Sequence, residues 1–297
     1  MRNSAAKIVY EYCKSNKDGF LISGDAGFGV WEKFQEELPT QYINTGVNEA
    51  AMTGLAAGLA LSGHKVFIYN IIPFLLMRNY EQVRVDIAYQ NLPVILIGIG
   101  SGVTYAPAGM THYSIEDITI AKSMPNLNII SPSDPIQVEK AMHYAIASDN
   151  PTFIRISRSG EPKVFDDNID ITKPIIIKDG NSKAIIFHGS IVDEVLEASK
   201  ELDDCAIISF PMIAPIDEKE VATILEKYNE IFVVEEHFKD GGLGTILSDL
   251  TIQLGIFVKI KKLGIPNHYI HKIGNCDYLR KKYGIDKESI IREINHG

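Results

Sequence analysis

The stretch Asn44-Thr45-Gly46-Val47-Asn48-Glu49-Ala50-Ala51-Met52-Thr53-Gly54-Leu55-Ala56-Ala57-Gly58-Leu59-Ala60 constrains the fold more than any other in the chain. It has the character of a glycine-rich turn leading from a strand into a helix, with one carboxylate, Glu49, at its mouth. A helix start offers free backbone N–H groups and a positive dipole end, which suits an acid there. The residues that follow are nearly all small, and a helix surfaced with alanine and glycine can press closely against another backbone. A lone charge beside such a surface needs a partner. On this segment alone, Glu49 is equally well explained as a simple helix-terminus charge.

Short apolar runs alternate with helix-like segments along the whole chain, the pattern of a parallel sheet covered by helices on both faces. Strands are expected at 20–23, 42–45, 65–69, 94–99, 128–131 and 152–156. Helices are expected at 4–15, 47–62, 75–90, 115–123 and 135–147, the last opened by Ser133-Asp134-Pro135 as a cap followed by a first-turn proline. From Ser159 to about Ser182 the pattern breaks at Gly160, Pro162, Asp166-Asp167-Asn168 and Pro174, as a linker does. A second alternation follows, with strands at 184–188, 206–209, 231–235 and 257–263 and helices at 193–202, 217–228 and 242–254. The expectation is an α/β protein of two doubly wound sheet domains, 1–160 and 183–297, joined by a linker over 161–182.

A chain of 297 residues is long enough for two such cores. Its net charge of −9 argues against nucleic acid or an anionic membrane surface as a partner. The N-terminal Met1-Arg2-Asn3-Ser4-Ala5-Ala6-Lys7 lacks the apolar run of a signal peptide and no segment is long enough to span a bilayer, so a cytoplasmic protein is expected. Cys13, Cys205 and Cys276 lie far apart without a Cys-x-x-Cys pair, which suggests neither a disulfide framework nor a zinc site.

Three further motifs follow the Glu49 turn: Tyr80-Glu81-Gln82-Val83-Arg84-Val85-Asp86-Ile87-Ala88-Tyr89, Gly109-Met110-Thr111-His112-Tyr113-Ser114-Ile115-Glu116-Asp117 and Pro125-Asn126-Leu127-Asn128-Ile129-Ile130-Ser131-Pro132-Ser133-Asp134. In that order and spacing they resemble the pyrimidine-binding domain of the transketolase family of thiamine diphosphate enzymes. With Gly241-Gly242-Leu243-Gly244 opening a late helix, the second domain resembles the transketolase C-terminal domain, and the resemblance covers nearly the whole chain. The family's diphosphate half, marked by Gly-Asp-Gly and a downstream asparagine, is missing. Gly24-Asp25-Ala26 with Asn48 is a poor match, since the third glycine is replaced and Asn48 lies inside the Glu49 motif, so no metal site is assigned here. The chain looks like the C-terminal half of a split enzyme. The resemblance then implies an N-terminal diphosphate-binding transketolase-like subunit that holds most of the Mg²⁺ contacts, an α2β2 heterotetramer, and sugar or sugar-phosphate substrates.

It also implies residue roles. Glu49 is the catalytic carboxylate that hydrogen-bonds N1′ of the aminopyrimidine, favouring the tautomer whose 4′-nitrogen acts as a base. Phe74 is the stacking residue, with Ile72 and Arg78 of the same segment as further cofactor contacts; Phe74 also suits a core position at a strand end. His112 follows a glycine-rich loop and corresponds to the histidine that faces the donor's oxygens, catalytic and substrate-binding at once. Arg158 matches an arginine that holds substrate phosphate, although a domain-edge salt bridge would explain it too. Ala108 stands where the family's usual loop has an aspartate that contacts a sugar hydroxyl, so the substrate is expected to differ from ordinary ketose phosphates, in the direction of unusual or branched sugars. His64, His143, His188, His268 and His271 are read as structural, and His237 beside Glu235 and Glu236 as an interface residue or a weaker site candidate. Two other functions fit the plan: the β subunit of a 2-oxo acid dehydrogenase, and a non-catalytic scaffold, against which the joint presence of Glu49 and His112 argues.

Overall fold

Runs of isoleucine, valine and phenylalanine punctuated by glycine and asparagine form twelve strands: β1 Gly19–Ser23, β2 Tyr42–Asn44, β3 Lys65–Ile71, β4 Ile95–Ile99, β5 Asn128–Ile130, β6 Thr152–Ile156, β7 Ile175–Lys178, β8 Lys183–Phe187, β9 Cys205–Ser209, β10 Met212–Ala214, β11 Glu230–Phe238 and β12 Lys259–Ile265. They come from a computed structural model that describes residues 1–158 and 160–296. The first sheet has the order β10-β5-β6-β4-β3-β1-β2 and the second β12-β11-β8-β9-β7. Every pairing in the first sheet is parallel except β10 with β5, and every pairing in the second is parallel except β7 with β9.

The helices are α1 Arg2–Ser15, α2 Glu32–Glu37, α3 Glu49–Leu61, α4 Tyr80–Gln82, α5 Asp117–Lys122, α6 Pro135–Ala147, α7 Val192–Ser199, α8 Glu218–Lys227, α9 Leu243–Leu254, α10 Cys276–Tyr283 and α11 Lys287–His296. Asn48 caps α3 by accepting from the Ala51 amide, and Asp134 caps α6 by accepting from the Gln137 amide, with Pro135 behind it as the sequence predicts.

The structure departs from the sequence expectation in four places. The segment expected as one helix over 75–90 is a pair of wide π-type turns, Pro73–Met77 and Val83–Ala88, on either side of the short α4. Each such turn inserts a residue into the helical ladder and changes which side chains share a face. Strand β7 falls inside the span expected as linker, because Ile175 and Ile176 pair with Ser209 and Ile208. Strand β10 returns to the first sheet, with Met212 opposite Ile130, so the two sheets are laced together by chain from beyond residue 183. The charge-rich α10 and α11 have no counterpart in the sequence expectation; Leu279, Ile290 and Ile294 nevertheless give them buried faces.

The largest apolar cluster runs from Ile22, Met52 and Val66 through Ile118 and Ala121 to Leu243, Ile246 and Leu247, so it spans both domains. No helix among the described residues is long and apolar enough to cross a membrane.

Candidate active site

The carboxyl ends of β2, β3, β4 and β6 all belong to one edge of the first sheet, and the candidate residues follow them: Glu49 after β2, Phe74 and Arg78 after β3, His112 after β4 and Arg158 after β6. Loops leaving that edge of a parallel sheet are where such folds place ligands.

Glu49 begins α3 and is only 4% exposed. One carboxylate oxygen, Oε1, accepts from Arg78 Nη1 at 2.8 Å; among the described residues no bond is made by Oε2. The Arg78 guanidinium lies over the Phe74 ring at 4.2 Å from its centroid. That ring in turn meets His112 edge-on, centroids 5.4 Å apart. Behind the ion pair, Asn79 hydrogen-bonds Thr53 Oγ1, and the Thr53 hydroxyl donates to the Glu49 carbonyl at 3.0 Å. Four of the six predicted residues are thus one continuous contact chain, Glu49–Arg78–Phe74–His112.

Thr111 Oγ1 engages His112 Nδ1 at 2.8 Å, which leaves Nε2 as the ring nitrogen available to a ligand. The loop bearing His112 turns tightly: its amide donates to the Gly109 carbonyl at 3.0 Å, where Gly109 has φ +78°, and the Ser114 amide donates to the Gly102 carbonyl at 2.9 Å. Ala108 is exposed on the short turn Ala106–Ala108 of this loop.

Arg158 is not part of that chain. It lines a cleft of about 300 Å³ between the domains with Thr104, Ser190, Asp193, Cys276 and Arg280. Its guanidinium sits 5.7 Å from the Tyr105 ring centroid, and Tyr105 packs over Gly100 beside the His112 carbonyl. Ile72 also stands apart from that contact chain. It is fully buried, wedged where a Cβ on Gly98 would come within 2.7 Å of its Cγ1, so its side chain packs in the core at the end of β3. Phe74, whose alternative was a core position, is only half-buried.

The residues present fit an aminopyrimidine. A carboxylate oxygen without a partner, at a buried helix start, stands next to an aromatic face that already carries one planar N–H donor group, and those are the two surfaces such a ring requires. Among the described residues no three His, Cys, Asp or Glu side chains converge, the Asp25 amide is tied to Asn44 Oδ1, and Asn48 is spent as a helix cap.

Buried charges where the two domains meet are what the sequence reading missed. Arg155 is fully buried in β6, donating from Nε to Asp117 Oδ2 at 2.6 Å and from Nη2 to the Glu236 carbonyl at 2.9 Å. Glu235 accepts from the Leu243 and Gly244 amides at 2.8 and 3.0 Å, capping α9, and from His188 Nε2 at 3.3 Å. Burial pushes both Glu235 and Glu236 upward, but bonds from His188 to the first and the charge and bonds of Arg280 and Ser190 on the second prevail, holding both carboxyls below their usual range. Burial lowers the His188 imidazole. The glycine motif is legible in this light: a Cβ on Gly242 would stand 2.2 Å from Glu235 Oε2, and one on Gly241 would stand 2.1 Å from Thr119 Oγ1 of the first domain.

Residues 1–162 match the family described as "Transketolase, pyrimidine binding domain", and residues 173–290 match "Transketolase, C-terminal domain". The chain belongs to the transketolase family. An apulose-4-phosphate transketolase subunit of Phocaeicola vulgatus is 31% identical over 98% of this chain and 95% of its own length. The protein of the same name from Actinobacillus succinogenes is 32% identical over 87% and 85%. A solved structure described as a split gene transketolase, inactive beta4 tetramer, shares the fold at a TM-score of 0.88, with 24% identity over 99% of this chain and 96% of that one. This transketolase-family chain therefore corresponds along nearly its whole length to subunits of divided transketolases, and no 2-oxo acid dehydrogenase subunit is among these relatives.

Proposed function

We propose that this chain is the pyrimidine-side subunit of a two-chain, thiamine diphosphate-dependent transferase that moves a two-carbon ketol unit between carbonyl or sugar substrates in the cytoplasm. The partner, an N-terminal diphosphate-binding subunit, supplies the Mg²⁺ and diphosphate contacts, in an α2β2 assembly. When bound, the cofactor supplies the carbon nucleophile that takes up and passes on the transferred unit.

The observation that carries this reading is the free second oxygen of Glu49 beside the Phe74 face, with His112 at the edge of the same ring. Glu49 would hold the pyrimidine by a hydrogen bond and Phe74 would give it an apolar face, while Arg78 holds the carboxylate in place through Oε1. His112, its Nδ1 engaged by Thr111, offers Nε2 to donor oxygens and shuttles a proton there. Arg158 binds the substrate phosphate from the interdomain side.

Glu49→Gln keeps the shape of the side chain and a hydrogen bond to the ring, so cofactor affinity in the assembled two-chain enzyme should change little. Exchange of the thiazolium C2 proton, followed by NMR, should slow by about 10²-fold or more. Wild-type exchange in that variant would return Glu49 to the role of a helix-terminus charge.

The substrate is a sugar phosphate outside the ordinary xylulose and ribose pair, in keeping with Ala108 and with two relatives named for apulose 4-phosphate. Loss of one hydrogen-bond partner removes about 0.5–1.5 kcal/mol of preference for the hydroxyl concerned. A substrate panel on the reconstituted enzyme tests this; efficient, stereoselective conversion of xylulose 5-phosphate with ribose 5-phosphate would make it a conventional transketolase half.

A further inference from the structure

His112 sits in a loop over 100–114 that is folded by local turn bonds, the His112 amide to the Gly109 carbonyl among them, and closed at its stem by the Ser114 amide donating to the Gly102 carbonyl. Such turns set the internal shape of the loop, whereas its placement, and with it that of His112, depends on what its stem is docked against. Both sides of its stem are docked against one tripeptide of the second domain, Glu236-His237-Phe238 at the end of β11.

On the first side, Glu236 lies flat against Gly102. A Cβ there would come within 2.1 Å of Glu236 Oε2 and 2.4 Å of its Cβ, and Gly102 has φ +59°, so the position requires glycine on both counts. On the second side, the Phe238 amide donates to the Ile115 carbonyl at 2.8 Å, and Arg155 Nη2 joins the Glu236 carbonyl at 2.9 Å to the Ser114 carbonyl at 3.4 Å. The Glu236 carboxylate is itself held from behind, Oε1 by Arg280 Nε at 2.5 Å and Oε2 by Ser190 Oγ at 2.6 Å, and it is 1% exposed. Arg280 is anchored in its turn by Asp193 at 2.8 Å.

We propose that Glu236, backed by Arg280 and Ser190, is a positioning residue of the C-terminal domain that sets the loop carrying His112 through its contact with Gly102. This rests on the site reading of His112 given above and assigns the second domain a part in catalysis that it performs without touching the substrate.

The contact depends on reach, whereas the pairing with Arg280 depends on charge, so two substitutions separate them. Glu236→Asp keeps the charge but withdraws the carboxylate from Gly102 by one methylene. Glu236→Gln keeps the reach and loses the charge. If Glu236 served only to balance a buried arginine, Glu236→Gln would be the more damaging in every measurement. If it positions the loop, the ranking divides: Glu236→Gln lowers the thermal midpoint more, while Glu236→Asp does more harm to the loop.

Amide hydrogen exchange on the full chain reads the loop directly. Exchange over 100–114 should rise by about fivefold or more in Glu236→Asp and stay within about twofold in Glu236→Gln, with 44–60 unchanged in both. In the reconstituted enzyme assayed with apulose 4-phosphate, Glu236→Asp should lower kcat/KM by about tenfold while thiamine diphosphate affinity, measured by calorimetry, stays within about twofold. Equal loop exchange in the two variants, or greater exchange in Glu236→Gln, would overturn the proposal. His112→Ala is the control: if it leaves turnover untouched, the site reading fails and this inference with it, whereas an impaired His112→Ala beside an unimpaired Glu236→Asp defeats the inference alone.

Discussion

Glu49, Arg78, Phe74 and His112 form a relay in which each side chain has a different physical task, and the tasks separate experimentally. In the proposed function Phe74 gives the pyrimidine an aromatic face, while His112, edge-on to that ring, meets the part of the site where charge changes during turnover. Phe74→Ala should therefore weaken cofactor binding by about tenfold, the scale of about 1–1.5 kcal/mol for a lost ring stack, with a smaller effect on turnover at saturation. His112→Ala should do the reverse, leaving cofactor affinity near the wild-type value and lowering kcat by about 10²-fold or more. Calorimetry and steady-state rates on the assembled enzyme check the pair, and matching changes in both quantities for both variants would mean that the two residues do not divide the work. Arg78 shows what sequence reading at this scale leaves open. The motif offers it only as a cofactor contact, and its position between a carboxylate and an aromatic ring follows from the wide turn Pro73–Met77, which no local propensity announces.

Single elements are held by acids placed at their ends. The α9 helix begins on a glycine without any side chain to cap it, and Glu235, seven residues upstream on β11, supplies both carboxylate oxygens instead. Glu235→Ala would strip the Leu243 and Gly244 amides and leave His188 Nε2 without its acceptor. A loss of about 2–3 kcal/mol in denaturant unfolding is expected, the sum of a lost cap and an orphaned buried donor. A loss under about 0.5 kcal/mol would show that water replaces the cap without penalty. The α3 helix presents the opposite case. Its buried face, Met52, Thr53, Ala56 and Ala57, belongs to this chain, while Ala50, Ala51, Gly54, Leu55 and Gly58 are exposed, and nothing lies within 4 Å of a Cβ built on Gly54 or Gly58. The close approach that its composition implies is left to the partner subunit of the proposed assembly.

At the scale of the whole chain, a spanning apolar core and a buried set of charged and polar groups, joined across the domains by Arg155 Nη2 to the Glu236 carbonyl and His188 Nδ1 to Ser131 Oγ, tie the two sheets into one body. That set makes the fold acid-sensitive. The folded His188 titrates below its ordinary 6.5 because it is buried, so acidification through that value protonates the unfolded chain first and stability falls with pH. Glu235 and Glu236 titrate below their ordinary 4.5, so the stability they contribute is present above that pH and is lost as pH falls toward their folded values. Glu116 and Glu194, raised chiefly by burial, act in the opposite sense. Comparing His188→Gln with the wild type isolates the histidine: the thermal midpoint of the wild type should fall more steeply between about pH 7 and pH 5 than that of the variant. Parallel slopes would assign the acid sensitivity to other groups.

The sequence by itself determined the alternation of strands and helices, the capped start of α6 and the family, and it singled out Glu49, Phe74 and His112 as candidates, because each is a local signal: a period, a cap or a motif of fixed spacing. It did not determine that β10 would cross back to the first sheet or that β7 would pair within the expected linker, since strand partners are chosen by edges that lie far apart in the chain. Nor did it separate Ile72 from Phe74, two apolar neighbours of which one is fully buried and the other half-open, or place Arg158 in the interdomain cleft. Arg280, in a run with Lys281 and Lys282, has the sequence of a solvated charge, and Glu236 that of one acid among many. Only the packing of α10 against the end of β11 takes both out of water, and a buried charge must then find its opposite, which is a property of tertiary structure that no local pattern encodes.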